Sequence, residues 1–279
     1  METQQRLTWL FTRPQLSQFN VDGKVFIVTG AAQGLGLVLA EGLAEAGGKV
    51  YCFDTCKHPD AHWLECQERI RSKHNSTIEY VQQDVTDTAH LQKSIQIVAG
   101  ANSGLDGVIA AAAIQQVTPA LEYTAADVDK MMRINFTGAF MTATCAAREM
   151  MRYKRQGSIC FIASMSGLIA NKDMHTPVYN AGKAALIQLA RSLAMEWSSI
   201  NEDGTGGIRV NCISPGNIKT AMLEDVFSKD KIRMWSESNM LGRLAEPEEF
   251  KSAALYLMSE ASSFTTGSNL VIDGGYTAW

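Results

Sequence analysis

The sequence predicts one α/β domain, a Rossmann-type doubly wound parallel sheet of about seven strands. Three observations lead there. Short β-branched runs alternate with longer amphipathic stretches, which is the pattern of βαβ units. Several of the short runs are apolar throughout, as strands covered by helices on both faces must be. The first of them, at 25–29, runs straight into a glycine-rich turn that opens a helix.

Strands are expected at 25–29, 49–54, 78–82, 107–111, 158–163, 208–214 and 269–272. Helical patterns lie between them, over about 34–47, 59–74, 88–101, 125–152, 177–200 and 246–260. Right-handed crossovers then wind these units into one sheet. Residues 1–20 read as an irregular arm ahead of the domain at 21–279, and about 216–245 as a long excursion after a strand, with the character of a substrate lid. No repeat or low-complexity linker divides the chain.

Composition excludes several classes. The 279 residues carry 25 Lys+Arg against 29 Asp+Glu, a net charge of -4, and are 46% hydrophobic. That is too apolar for a disordered chain, and it lacks the basic stripe a nucleic-acid partner would require. The six cysteines have no disulfide-framework spacing. No uncharged apolar run approaches the ~20 residues of a membrane span, and the opening residues do not form a secretory signal. The expectation is a cytoplasmic protein with no membrane partner, in which the sequons at 75–77 and 135–137 stay unused.

The chemistry begins at Gly30-Ala31-Ala32-Gln33-Gly34-Leu35-Gly36. Glycines at a strand-to-helix junction let backbone N–H groups approach a pyrophosphate at the positive end of the helix. The next strand ends in Asp54, eighteen residues past Gly36. An acid there accepts hydrogen bonds from the ribose hydroxyls of an adenosine and repels a 2′-phosphate. Neither Gln33 nor Thr55 supplies the cation that NADP would want. The charges favour NAD(H), with NADP(H) possible if another segment brings cations.

Tyr179 and Lys183 stand at i and i+4 on one helical face. An ammonium beside a phenol favours the phenolate, so the tyrosine can exchange a proton at an accessible pH. A Y-x-x-x-K spacing also occurs on solvated helices. Here it follows the strand at 158–163, whose end carries Ser164, in the region where open α/β sheets present ligands.

With these residues in place, about 20–277 resembles the short-chain dehydrogenase/reductase family. The matching motifs are Thr29-Gly30-x-x-x-Gly34-x-Gly36, Asp54, Asp84-Val85, Asn135, Ser164, Tyr179 with Lys183, Pro215-Gly216-Asn217-Ile218-x-Thr220 and Asp273-Gly274-Gly275. The resemblance implies that Tyr179 is the general acid/base and that Ser164 orients the substrate oxygen. Lys183 would bind the nicotinamide ribose and lower the Tyr179 pKa. Asn135 would kink its helix and help hold a water in the proton relay. It implies cofactor contacts from Gly30, Gln33, Gly34, Leu35, Gly36, Asp54, Asp84, Val85, Ala111, Tyr179, Lys183, Pro215, Gly216, Ile218 and Thr220. The reaction implied is hydride transfer between a nicotinamide and a secondary alcohol or ketone, in a homo-oligomer, tetramer or dimer, with 136–147 as an interface.

Two positions depart from the family pattern. The usual Asn-Asn-Ala-Gly after the fourth strand is Ala110-Ala111-Ala112-Ala113, which removes a side-chain anchor and puts Ala113 close to the cofactor. Ser166 also precedes Tyr179 and stands as the alternative to Ser164. The stretches around Ser164-Met165-Ser166-Gly167 and the closing Asp273–Trp279 look like fungal sorbose reductases and mannitol or arabinitol dehydrogenases, whose substrates are polyols and ketoses. Against this, the excursion at 222–241 is rich in Met, Leu, Phe and Trp. Such a lid suits a bulky apolar substrate, as in an oxidoreductase of fungal secondary metabolism, unless those residues merely pack onto the core. The insert from Asn171 to His175 can supply polar contacts instead, with His175 itself read as a surface residue. A third reading is a cofactor-binding sensor with little turnover. No metal is expected, because Cys52, Cys56, His58, His62 and Cys66 lack paired ligand spacing. A serine hydrolase is excluded by the missing nucleophile elbow.

Overall fold

A computed structural model describes residues 17–74, 76–219 and 228–279. Most of the arm, Asn75, Thr220 and the lid residues Met222, Leu223, Val226 and Phe227 lie outside the described residues. Strands β1 (Val25–Thr29), β2 (Lys49–Asp54), β3 (Ile78–Gln82), β4 (Gly107–Ala110), β5 (Ser158–Ile162), β6 (Arg209–Pro215) and β7 (Asn269–Ile272) form one sheet. Their order is β3-β2-β1-β4-β5-β6-β7, and every pair is parallel.

The expected strands are all present, and the small shifts at their ends have causes. β4 stops at Ala110 because the next two N–H groups, of Ala111 and Ala112, donate to the Thr29 hydroxyl (both 3.2 Å) rather than to a neighbouring strand. β6 gains Pro215, which stands opposite Ile272. The helices are α1 (Gly34–Glu45), α2 (Ala61–His74), α3 (Thr88–Ala101), α4 (Ala125–Met132), α5 (Ala139–Arg152), α6 (Pro177–Trp197), α7 (Lys229–Ser238) and α8 (Lys251–Met258). α1 ends early because Gly47 turns left-handed at φ +95 and Gly48 N–H closes back on Leu43 O at 3.0 Å. The long helical stretch at 125–152 is broken by a π-helical turn, Arg133–Gly138. A 3-10 turn, Pro247–Phe250, precedes α8.

Residues of each strand alternate between two cores. Val25 and Ile27 face Leu91 and Ile95 of α3, Ala143 of α5 and Leu186 of α6. Phe26 and Val28 face Leu39 of α1, Ile70 of α2 and Leu257 of α8. None of the described helices is long and apolar enough to cross a membrane.

The second layer is tied together by charge. Glu41 of α1 bonds Arg69 of α2 and, at 3.0 Å, Lys251 of α8. Burial pushes the Glu41 carboxyl up, but hydrogen bonds from Lys251 and Arg69 outweigh it and hold the pKa below 4.5. A depressed folded pKa stabilises the fold above the unfolded value and stops doing so as pH falls through the folded one. Glu41→Ala is therefore expected to cost about 2 kcal/mol at pH 7 in a urea melt, with the difference shrinking steadily as the melts are repeated below pH 4.5.

Candidate active site

The strand order reverses between β1 and β4. α1 leaves β1 toward one face, while the segments after β4 pack on the other. A crevice opens between them at the carboxyl ends of the strands, as this topology requires. Two cavities occupy it. One, of about 430 Å³, is lined by Gly30, Gln33, Gly34, Leu35, Gly36, Asp54, Asp84, Val85 and Ala111. The other, of about 260 Å³, is lined by Ser164, Tyr179, Lys183, Pro215, Gly216 and Ile218. Leu35, Ala111, Ala113 and Ile162 border both.

The glycine loop is shaped by contact. Gly30 sits at φ +67, and a Cβ there would fall 2.7 Å from Ala112 Cα. A Cβ on Gly36 would fall 2.1 Å from the Gly30 carbonyl oxygen. Gly34, at φ +59, faces open space. The first turn of α1 has no side-chain cap, since Gln33 makes none. Its free N–H groups meet the larger cavity, which is the arrangement an anion occupies. Asp54 lies where β2 ends; its Oδ2 accepts from Ala32 N–H at 3.0 Å and its Oδ1 from Thr55 N–H at 2.7 Å. It thus braces the glycine loop and still presents lone pairs to the cavity. No Lys or Arg is among the described residues lining this cavity. The pyrophosphate cradle, the acid at the end of β2 and the room between them fit a dinucleotide. The four alanines do not close the site, because the Thr29 hydroxyl holds that turn through backbone N–H groups.

In the smaller cavity the Ser164 hydroxyl interacts with the Tyr179 phenol. Burial pushes the phenol above its usual pKa of 10, and Ser164 draws it partly back. The Lys183 ammonium lies 5.5 Å from the centre of the Tyr179 ring and donates to Ile162 O at 2.6 Å. Only 3% exposed, it is pushed down to about 8 by burial. Ser166 lines the same cavity, and its Oγ accepts from Asn171 Nδ2 at 2.7 Å. Asn171 Oδ1 and Asn217 Nδ2 are buried without a hydrogen-bond partner, and both residues line this cavity.

Asn135 is fully buried and lines neither cavity. Its amide accepts from Ile114 N–H and donates to Ile114 O, both at 2.8 Å, which locks the π turn to the segment leaving β4. The closing Asp273-Gly274-Gly275 acts as a buttress. Asp273 accepts from Gly275 N–H at 2.9 Å and Thr277 N–H at 2.8 Å, and a Cβ on Gly216 would fall 2.6 Å from Asp273 Cα. Thr220, expected at the cofactor, lies outside the described residues. Of the described apolar residues in the excursion, Trp235 of α7 reaches the smaller cavity, while Met240 and Leu241 are 50% and 65% exposed. Gln83, Gln115 and Met165 line the site without having been anticipated. Met165 lies inside the Ser164–Gly167 stretch, while no motif marks Gln83 or Gln115, which enter only as residues that follow strands β3 and β4.

His175 is exposed and contributes its backbone carbonyl to Thr118 N–H at 2.8 Å. Cys52 and Cys66 are buried thiols pushed up to about 12 by burial. No group of three or more His, Cys, Asp or Glu among the described residues is placed to hold a metal.

Fold and site together define a dinucleotide-dependent oxidoreductase of Rossmann type. Comparison with known proteins narrows this. The family described as enoyl-(acyl carrier protein) reductase matches residues 30–277. The short-chain dehydrogenase/reductase notP' of Aspergillus versicolor is 37% identical, with 94% of this chain and 89% of the relative covered. The ribulose-forming D-arabinitol 2-dehydrogenase of Candida tropicalis is 35% identical, with 94% and 95% covered. A crystal structure of a short-chain type dehydrogenase/reductase from Mycobacterium marinum superposes with a TM-score of 0.85 at 33% identity, with 95% of this chain and 99% of that chain covered. The chain belongs to the short-chain dehydrogenase/reductase family and is an NAD(P)-dependent oxidoreductase. Both cofactors occur among its relatives. An NADP-dependent mannitol dehydrogenase of Hypocrea jecorina is 34% identical over 94% of this chain and 95% of its own. An NADH-dependent L-xylulose reductase of Ambrosiozyma monospora is 32% identical over 94% and 97%.

The buried lysine has a measurable consequence. Its proton is held less tightly in the folded chain than in the unfolded one, so its contribution to stability rises with pH from about 8 toward 10.5. Buried thiols such as Cys52 and Cys66 work the other way above 9, so the measurement is a difference: by chemical denaturation at a series of pH values, the stability of the wild type relative to Lys183→Met is expected to rise across that window.

Proposed function

We propose that the protein interconverts a polyol and a ketose with NAD(H), using Tyr179 as general acid/base. The observation that carries the substrate class is the smaller cavity's polar wall. Ser164, Ser166, Asn171 and Asn217 border it, two of them with buried atoms lacking partners. Such atoms cost about 1–3 kcal/mol each until a ligand hydrogen-bonds to them, and a purely apolar substrate would leave that cost in place. The polyol and ketose enzymes among the relatives support the same class.

The residues divide the work. Gly30, Gln33, Gly34, Leu35 and Gly36 hold the pyrophosphate at the start of α1. Asp54 takes the ribose hydroxyls, and Asp84, Val85 and Ala111 border the adenine and central stretch. Pro215, Gly216, Ile218 and Thr220 strap the nicotinamide. Once bound, the nicotinamide supplies the acceptor or donor for the hydride. Tyr179, a neutral phenol at pH 7, gives its proton to the substrate oxygen in reduction and takes it back in oxidation. The charged Lys183 stabilises the phenolate left behind. Ser164 hydrogen-bonds the substrate oxygen, the role for which Ser166 is the less suited because Asn171 already engages it. Asn135 holds the π turn behind Tyr179. That no Lys or Arg is among the described residues lining the larger cavity supports NAD(H) over NADP(H).

The excursion after β6 acts as the lid. A second reading, a bulky apolar substrate, draws on Trp235, Met165 and Met174 in the same wall. The chain works in the cytoplasm, on a small molecule and without a nucleic-acid or membrane partner.

The test is nicotinamide absorbance with NAD⁺ or NADP⁺ over a panel of pentitols, hexitols and bulky secondary alcohols. Pentitol or hexitol oxidation with NAD⁺ is expected. Activity confined to bulky apolar alcohols would replace the substrate class, and an NADP⁺ preference would overturn the role given to Asp54. On the best substrate, Tyr179→Phe is expected to lose at least about 10²-fold in turnover; unchanged turnover would remove Tyr179 from the proton transfer. A homo-oligomer, tetramer or dimer, is expected through the face around 136–147, where Phe136, Phe140 and Met141 remain half-exposed; a monomer in sedimentation would refute it.

A further inference from the structure

The excursion after β6 closes on itself at its base. Ile218, in the strap that follows β6, bridges Ala245 in parallel register. Both backbone groups of Ala245 serve the bridge. Its N–H donates to Asn217 O at 3.0 Å, and its carbonyl accepts from Lys219 N–H at 2.8 Å. Asn217 and Ile218 also line the smaller cavity. One ion pair frames Ala245 from both sides. Arg243 Nη1 donates to Leu244 O at 3.1 Å, and Glu249 Oε2 accepts from Glu246 N–H at 2.8 Å. The pair itself is two-pronged, with Nη1 donating to Oε2 at 2.6 Å and Nη2 to Oε1 at 2.7 Å. A ring thus runs from Leu244 O through guanidinium and carboxylate to Glu246 N–H, and Ala245 is the residue it encloses. Asn239, 4% exposed, ties the same turn to the end of α7 by donating from Nδ2 to Arg243 O at 2.6 Å.

Each peptide unit is planar. Holding Leu244 O therefore aims Ala245 N–H, and holding Glu246 N–H aims Ala245 O, the two groups that grip the strap. Capping the 3-10 turn at Pro247–Phe250 needs only the bond to Glu246 N–H, so the fork to Arg243 is in excess of that task. A bidentate guanidinium–carboxylate pair fixes geometry where an ordinary surface pair does not. Hydrogen bonds from Arg243 hold the Glu249 carboxyl down to about 2, which keeps the pair charged in any ordinary assay. We propose that Arg243 and Glu249 are positioning residues for the cofactor, which through Ala245 fix the strap against the nicotinamide half and leave the adenosine half untouched. This rests on the role given to the strap above and adds the pair that sets it. The adenosine side lies in the larger cavity, which neither residue lines.

The test is calorimetric titration of the full-length enzyme with NADH and with ADP-ribose, which keeps the adenosine, pyrophosphate and second ribose and lacks the nicotinamide. The wild type is expected to bind NADH at least about tenfold more tightly, the scale of one or two hydrogen bonds to the ring amide. Arg243→Met and Glu249→Gln are each expected to weaken NADH binding about fivefold, while ADP-ribose affinity stays within about twofold of the wild type. A purely structural role would not split the two ligands in this way, and retained ADP-ribose binding shows that the variants fold. If either variant keeps the wild-type ratio of affinities, or loses both ligands in step, the pair serves only its own turn or the fold; the proposal is then wrong and the strap reading stands. If the wild type binds the two ligands alike, the strap does not grip the nicotinamide, and that reading falls together with the proposal.

Discussion

The site depends on one constraint: neighbouring strands β1 and β4 send the chain to opposite faces of the sheet. In a parallel sheet this happens where the strand order turns back, and it leaves a crevice that neither layer of helices covers. The opening is kept narrow by direct contact. Gly30 approaches Ala112 so closely that no side chain fits between them, and Thr29 binds the two N–H groups that follow β4. The uncapped start of α1, the acid at the end of β2 and the phenol of α6 are all aimed into that gap by the elements that bear them.

Within the gap the fold retains groups that a core built only for stability would exclude. Lys183 is buried beside strand β5 with one backbone carbonyl as its hydrogen-bond partner. Its charge is held against a desolvation cost large enough to lower its pKa, as is expected where chemistry rather than packing sets the residue. The surroundings compensate with rigidity. The π turn is locked to Ile114 through Asn135, and Asp273 gathers the C-terminal turn under the strap that follows β6. Each of these groups touches backbone, so the geometry they impose does not depend on a mobile side chain.

The walls of the substrate cavity are mixed in both of the segments that build them. The segment between β5 and α6 brings Ser164, Ser166 and Asn171 together with Met165 and Met174, and the excursion after β6 brings Asn217 and Trp235. Sugar-like molecules present both surfaces, since hydroxyls alternate with C–H groups that pack on an aromatic ring. A wall of mixed character is therefore more selective for such a ligand than either an apolar or a polar one alone.

Much of this was legible in the residues themselves. Short β-branched runs located all seven strands, four of them to the residue; β1 and β2 are buried almost throughout, while the partly exposed edge strands β3 and β7 show in their Ile and Val content. The glycine loop, Asp54, Ser164, Tyr179 and Lys183 could be read because each sits at a strand end or on one helical face. Those local relations survive folding. What they could not reveal was which side chains from distant segments share a wall. The apolar excursion suggested an apolar site, yet of its described apolar members Trp235 reaches the cavity while Met240 and Leu241 point to solvent. Asp54 was legible as an acid at the end of β2 but not as the brace of Ala32, a contact across 22 residues. Asn135 was legible as a helix-kinking residue, and the tertiary structure assigned its amide to Ile114. The residues alone located the sheet and named the glycine loop, Asp54, Ser164, Tyr179 and Lys183, all of which line the crevice. Tertiary packing alone decided which polar atoms were left unpaired in the cavity, because that depends on every neighbour at once.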